Sequence, residues 1–161
     1  MRLYSFVNHY LSPLQQGVHT AHCVAEMANT VASLQGESTM QCRLFFEWAS
    51  KHKTIDIRVG GDARMLDDIW TRLYEYSEKF GLPLVKSYED GNPANEKLTA
   101  VAVLVPEWAY NAKMGVNGEK RFWVWNHSHL NIDRDMPSSM SFYEGTMESE
   151  LIGFLNSTSL V

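Results

Sequence analysis

The sequence predicts an α/β fold: a single domain, 1–161, built on a mixed β-sheet flanked by helices. Three observations carry this expectation. Short alternating or continuously apolar runs recur between longer segments with apolar residues at helical spacing. Their order is strand, helix, helix, strand, helix, strand, strand, which calls for helices packed against a sheet of mixed direction. The length of 161 residues, 45% hydrophobic and 20% charged, is that of an ordinary globular domain with a real core.

Taken in order, Arg2 to Asn8 alternates as a strand should. Ser12-Pro13-Leu14-Gln15 then opens a helix: Ser12 suits the N-cap, Pro13 the first helical position, and Gln15 completes an S-x-x-Q capping box. This helix is expected to reach about Leu34, with Gly36 as C-cap. A second helical stretch covers Thr39 to Ser50 with Leu44, Phe45 and Trp48 as its apolar face. Lys53 to Val59 alternates strictly and reads as a strand; Gly60-Gly61-Asp62 turns the chain and caps the next helix. That helix spans Ala63 to Phe80 on Leu66, Ile69, Trp70, Leu73 and Phe80, and Gly81 and Pro83 stop it. Leu84 to Tyr88 is a short strand, Glu89 to Asn95 a loop by composition, and Leu98 to Val105 a buried strand. Beyond Pro106, Arg121 to Asn126 reads as an aromatic-rich strand, Asn131 to Glu144 as polar and irregular, and Met147 to Leu155 as a closing helix.

The bulk properties exclude several classes. No apolar run reaches the roughly 18 residues of a membrane span, and the N-terminus opens on a strand pattern rather than a signal peptide. Two cysteines, Cys23 and Cys42, make no disulfide framework. A cytoplasmic protein is the expectation, with no membrane partner. The formal charge of −5 argues against a long phosphate-binding surface, since proteins that hold nucleic acid by phosphate neutralisation are usually basic.

The first helix carries the densest chemistry. Gln15, His19, His22 and Glu26 fall at i, i+4, i+7 and i+11 and share one stripe; Leu14, Val18, Ala21, Ala25 and Ala28 form an apolar stripe beside it. The polar stripe begins near the end of a strand, where α/β proteins usually bind ligands. Two imidazoles on one helix face can divide acid and base roles near neutral pH. With Glu26 they could also begin a metal site, but H-x-x-H is not zincin spacing and no third ligand is fixed, so neither a metal nor a cofactor is expected. Further along, Asp90 in its Asp-Gly turn is a candidate to activate water or fix an imidazole tautomer, and Thr99 to position water or a substrate oxygen. Arg121, Trp123 and Trp125 alternate onto one strand face, an arrangement that can stack a base or belong to the core. His127 and His129 follow as candidate phosphate donors in a polar segment.

In order and spacing, these segments resemble the archaeal and eukaryotic (type 2) peptidyl-tRNA hydrolase family. The matching stretches are Leu3–His22, Trp48–Val59, Gly81-Leu82-Pro83, Asp90-Gly91 and Thr99 to Pro106, covering residues 2–106, about two-thirds of the chain. The resemblance implies a 1–106 family-like core, with 107–161 a divergent, elongated C-terminal part of the same domain. If His22 takes the family's His position, His19 falls on its Gln and Gln15 on its Lys. Gln cannot supply that fixed positive charge. Asp90 and Thr99 match the family's Asp and Thr.

The resemblance implies a hydrolase that cleaves the ester of peptidyl- or aminoacyl-tRNA. His19 or His22 would activate water, Asp90 would orient it, and Thr99 or Asn8 would hold the carbonyl oxygen, with Gln15 and Glu26 facing substrate. A second expectation is binding or metal-free phosphodiester cleavage of a small nucleotide such as a cyclic dinucleotide, with Arg121, Trp123 and Trp125 holding bases. That role would suit a virus-encoded counter-defence protein and agrees better with the acidic balance. A third is an interaction module without chemistry. The partner is thus expected to be a nucleotide or tRNA-like ligand. A homodimer is a further expectation that no particular residue carries.

Overall fold

The computed structural model describes residues 1–34, 39–89, 97–126 and 139–158. They form two compact units, Met1–Val105 and Pro106–Thr158. The first contains β1 (Arg2–Asn8), α1 (Pro13–Ser33), α2 (Met40–Glu47), β2 (Ile55–Gly61), α3 (Ala63–Phe80), β3 (Leu84–Tyr88) and β4 (Leu98–Val105). Its sheet has the order β2-β1-β4-β3. β1 pairs with β2 in parallel and with β4 antiparallel, and β3 pairs antiparallel with β4. This is the mixed sheet the element order calls for.

Local chemistry sets the element ends. The Ser12 side chain accepts from the Gln15 N–H, and Gln15 Oε1 accepts in return from the Ser12 N–H at 3.0 Å, so the capping box is complete. Asp62 caps α3 by accepting from the Met65 N–H at 2.9 Å, and Gly81 ends it in the left-handed region at φ 64°. α2 passes at Trp48 into a π-helical turn, Trp48–His52, closed by Lys53 at φ 52°. The Thr54 carbonyl then accepts from both the Trp48 indole Nε1–H and the Leu3 N–H, which ties this turn to the edge of β1.

The sheet is covered on both faces, and all eight residues of β4 are buried. Leu3, Val7, Val85, Ala100, Ala102 and Leu104 form one face and pack against Cys23, Met27 and Val31 of α1 and against Phe45 and Trp48. α3 lies on the other face: Lys86 of β3 reaches Asp67 at 3.0 Å and stands 4.5 Å from the Trp70 ring centroid. Gly60 marks the closest approach, since a Cβ there would lie 2.3 Å from Leu66 Cδ2 and 3.2 Å from the Val7 carbonyl oxygen.

Of the apolar stripe expected along the first helix, only Ala28 packs against the core. Leu14 is 79% and Val18 44% exposed, and Ala21 and Ala25 are exposed as well. The buried residues are Gln16, His19, Thr20, Cys23, Met27 and Val31. The inward face therefore begins polar and turns apolar only after Thr20. Its polar start is tolerated because each group has a partner: Gln16 Nε2 donates to the Leu11 carbonyl at 3.1 Å, and Thr20 Oγ1 lies 2.8 Å from Ser5 Oγ.

The second unit contains α4 (Glu107–Tyr110), β5 (Lys113–Asn117), β6 (Lys120–Asn126), β7 (Ser139–Tyr143) and α5 (Met147–Ser157). Its strands form a separate antiparallel sheet of order β5-β6-β7. Its core gathers Ala112, Trp125, Phe142 and Ile152, with Trp108, Trp123 and Met140 packed against it. Sequence reading anticipated β6 and α5 here, but not the second sheet, β5, β7 or α4.

Candidate functional site

The buried polar start of α1 lies where β1 and β3 end and β4 begins. Antiparallel register sets Val7 opposite Ala100 and Ser87 opposite Ala100 from the other side. The next pair is Tyr88 with Leu98, so the ladder slips by one residue and Thr99 becomes the extra residue of a β-bulge. Strict alternation would send Thr99 to the α3 face with Val101 and Val103. The bulge instead aims it at α1, where its hydroxyl oxygen meets His19 Nδ1 at 3.0 Å.

His19 is 7% exposed and Thr99 2%. The Thr99 hydroxyl donates to the Ser87 carbonyl at 3.0 Å. Its single proton being used there, Thr99 Oγ1 accepts from His19, which fixes the proton of the neutral ring on Nδ1. Ser87 Oγ stands 3.4 Å from the same nitrogen. The result is a directed chain from His19 Nδ1–H through Thr99 Oγ1–H to the Ser87 carbonyl. It leaves Nε2 with its lone pair, and among the described residues that nitrogen makes no hydrogen bond.

Electrostatics agree with this assignment. The His19 pKa is lowered from its ordinary 6.5, first by burial and then by the charge of His22, against a smaller opposing effect of Glu89. His22 is exposed and sets its ring edge-on to His19 with centroids 5.5 Å apart. Glu89, just beyond β3, is exposed at the same end of the sheet. His19 is thus a neutral imidazole near pH 7, oriented through one nitrogen and basic at the other, with an ionisable imidazole and a carboxylate close by.

The other residues singled out by sequence fall as follows. Asn8 is buried and its Oδ1 accepts from the Tyr10 N–H at 3.0 Å, so it shapes the turn after β1. Gln15 is exposed and spends its Oε1 on the helix cap. Glu26 is exposed, one turn beyond His22. The Thr99 hydroxyl is buried and spends both of its contacts within the protein, on His19 Nδ1 and the Ser87 carbonyl. Trp125, 2% exposed, belongs to the second unit's core and offers no free ring face for stacking. Arg121 and Trp123 line a cleft in that unit. Asp90, His127 and His129, like Gly36, lie outside the described residues.

Two contributors escaped sequence reading. Ser87 is the last inward-facing residue of β3, two positions after the buried Val85, and a polar residue on an otherwise apolar strand face was the available signal. Glu89 carried no pattern of its own. Among the described residues, no group of three or more His, Cys, Asp or Glu side chains is placed to hold a metal ion, and no helix is long and apolar enough to cross a membrane. No family model matches the sequence, and no curated protein matches it either.

Proposed function

We propose that this chain is a hydrolase of the peptidyl-tRNA hydrolase type, in which His19 Nε2 acts as general base on water. The observation that carries the proposal is the chain His19 Nδ1–H, Thr99 Oγ1–H, Ser87 carbonyl, which holds the neutral ring in the tautomer a base needs. The class of substrate, a peptidyl or aminoacyl ester on a nucleotide ribose, rests on the resemblance of residues 2–106 to that family. Water adds to the acyl carbon as Nε2 takes its proton; the carbon–oxygen bond to ribose then breaks, and the proton passes to the leaving ribose oxygen. His22, exposed beside the base, stands where it can assist that transfer. The net charge of −5 confines contact to the acceptor end of such a substrate rather than a long phosphate track.

Release of the acyl group from peptidyl-tRNA and aminoacyl-tRNA tests this, with cyclic dinucleotides assayed in parallel. Turnover of an ester that falls about 10²–10⁴-fold in His19→Ala is the expected result. Unchanged turnover in His19→Ala removes His19 from the chemistry. Turnover of a cyclic dinucleotide alone, lost in the same variant, keeps the base and replaces the ester with a phosphodiester.

A further inference from the structure

In the second unit, β6 and β5 present a strip of sheet that the core leaves uncovered. Arg121 and Trp123 alternate with Trp125 onto the face that carries the core, and across the ladder they oppose Val116 and Met114. Towards Trp125 this face is filled by packing. Towards Arg121 it is open, with Met114 56% and Val116 68% exposed. Glu144, from the turn after β7, and Ser149, from the first turn of α5, rim the opening. Met114, Arg121, Phe122, Trp123, Glu144 and Ser149 line a cleft of about 190 Å³. Arg121 and Glu144 share it, yet among the described residues neither makes an ion pair.

The lining defines a ligand. An indole beside apolar side chains is a platform for a flat ring. The cleft is below the 300–1,000 Å³ of sites that enclose drug-sized ligands, so it accommodates one ring system with its substituents outside. A carboxylate only accepts hydrogen bonds, so Glu144 selects a ring edge bearing two adjacent N–H donors. Of the common bases only guanine has such an edge, at N1–H and N2–H; adenine and cytosine set an acceptor beside their single amino group. A guanidinium at the rim suits a phosphate. We infer that this cleft binds a guanine nucleotide, with the base on Trp123, its donor edge on Glu144 and its phosphate on Arg121. The inference is independent of the His19 chemistry.

Calorimetric titration of the full chain with GMP, AMP and guanosine decides it. Saturable GMP binding is expected, tighter than AMP. Glu144→Gln should weaken GMP about 10–100-fold, the size of a lost charge-assisted pair of hydrogen bonds. Arg121→Gln should weaken GMP while leaving guanosine unchanged. Both side chains are exposed, so the variants should keep the wild-type melting temperature. His19→Ala should bind GMP as the wild type does. No saturation at millimolar GMP, equal affinity for AMP, or GMP binding that survives both cleft substitutions would each overturn the inference.

Discussion

Replacing Thr99 by valine keeps the volume and β-branching of the side chain and removes one hydroxyl. That hydroxyl makes two buried hydrogen bonds, accepting from His19 Nδ1–H and donating to the Ser87 carbonyl, both at 3.0 Å. The carbonyl loses one of its donors, since the Ser87–Ala100 ladder pair remains, and Nδ1–H keeps only Ser87 Oγ at 3.4 Å. A buried hydrogen bond contributes about 0.5–1.5 kcal/mol net. With both of its hydrogen bonds removed, the variant should lose about 1–3 kcal/mol. At about 2–4 °C per kcal/mol for a chain of this length, the melting temperature should fall by roughly 2–12 °C. Thr99→Ser retains the hydroxyl and should lose only about 1 kcal/mol for a missing buried methyl. Catalysis should separate the two more sharply. Without an acceptor at Nδ1, the ring proton is free to move to Nε2, the nitrogen that must accept one. The valine variant should therefore lose kcat with little change in KM, and the serine variant should recover most of it. Thermal melts with steady-state kinetics on both variants make the measurement. A valine variant with wild-type stability and kcat would show that the Thr99 hydroxyl neither supports the fold nor orients His19.

Other consequences can be checked independently. Because the folded-state pKa of His19 lies below 6.5, the unfolded chain binds its proton first as pH falls, so this residue's contribution is fully present above about pH 6.5 and is lost on acidification. His22→Gln should raise the His19 pKa toward, but not above, 6.5, because burial is the larger cause; the acid limb of a pH–rate profile reads this shift. Burial pushes the Cys23 thiol up to about 12, so native protein at pH 8 should resist iodoacetamide at Cys23, as peptide mass spectrometry would show. Gly60→Ala drives a methyl against the fully buried Leu66 and should cost about 1–3 kcal/mol by denaturant titration. Trp125→Ala should cost about 3–5 kcal/mol in the same assay, since the ring is core.

The sequence is most legible where local signals decide. Ser12 with Gln15, Asp62, and Gly81 each mark a helix end through contacts within a few residues, and those ends stand where the pattern puts them. Continuous apolarity likewise identifies β4. Legibility drops where tertiary context rules. Lys-Met-Gly-Val-Asn in β5 has two apolar residues split by glycine, three of the five residues of Ser139–Tyr143 bear hydroxyls, and α4 is too short for any period to emerge. The inward face of α1 is read wrongly by hydrophobicity because Gln16, His19 and Thr20 are buried as satisfied polar groups while Leu14 and Val18 face out. His19 and Thr99 were each legible as candidates, but not as a pair. They lie 80 residues apart, and the bulge that joins them reverses the side-chain parity a strand pattern supplies.

General-base catalysis by His19 requires a neutral imidazole protonated at Nδ1, with Nε2 available to water. Long-range ¹H–¹⁵N correlation spectra of the histidine rings at pH 7, with His19 assigned through His19→Gln, test this most directly. A protonated Nδ1 and an unprotonated Nε2 are expected for this ring, unchanged until the pH falls below 6.5. A ring protonated at Nε2, or an imidazolium at pH 7, would contradict it.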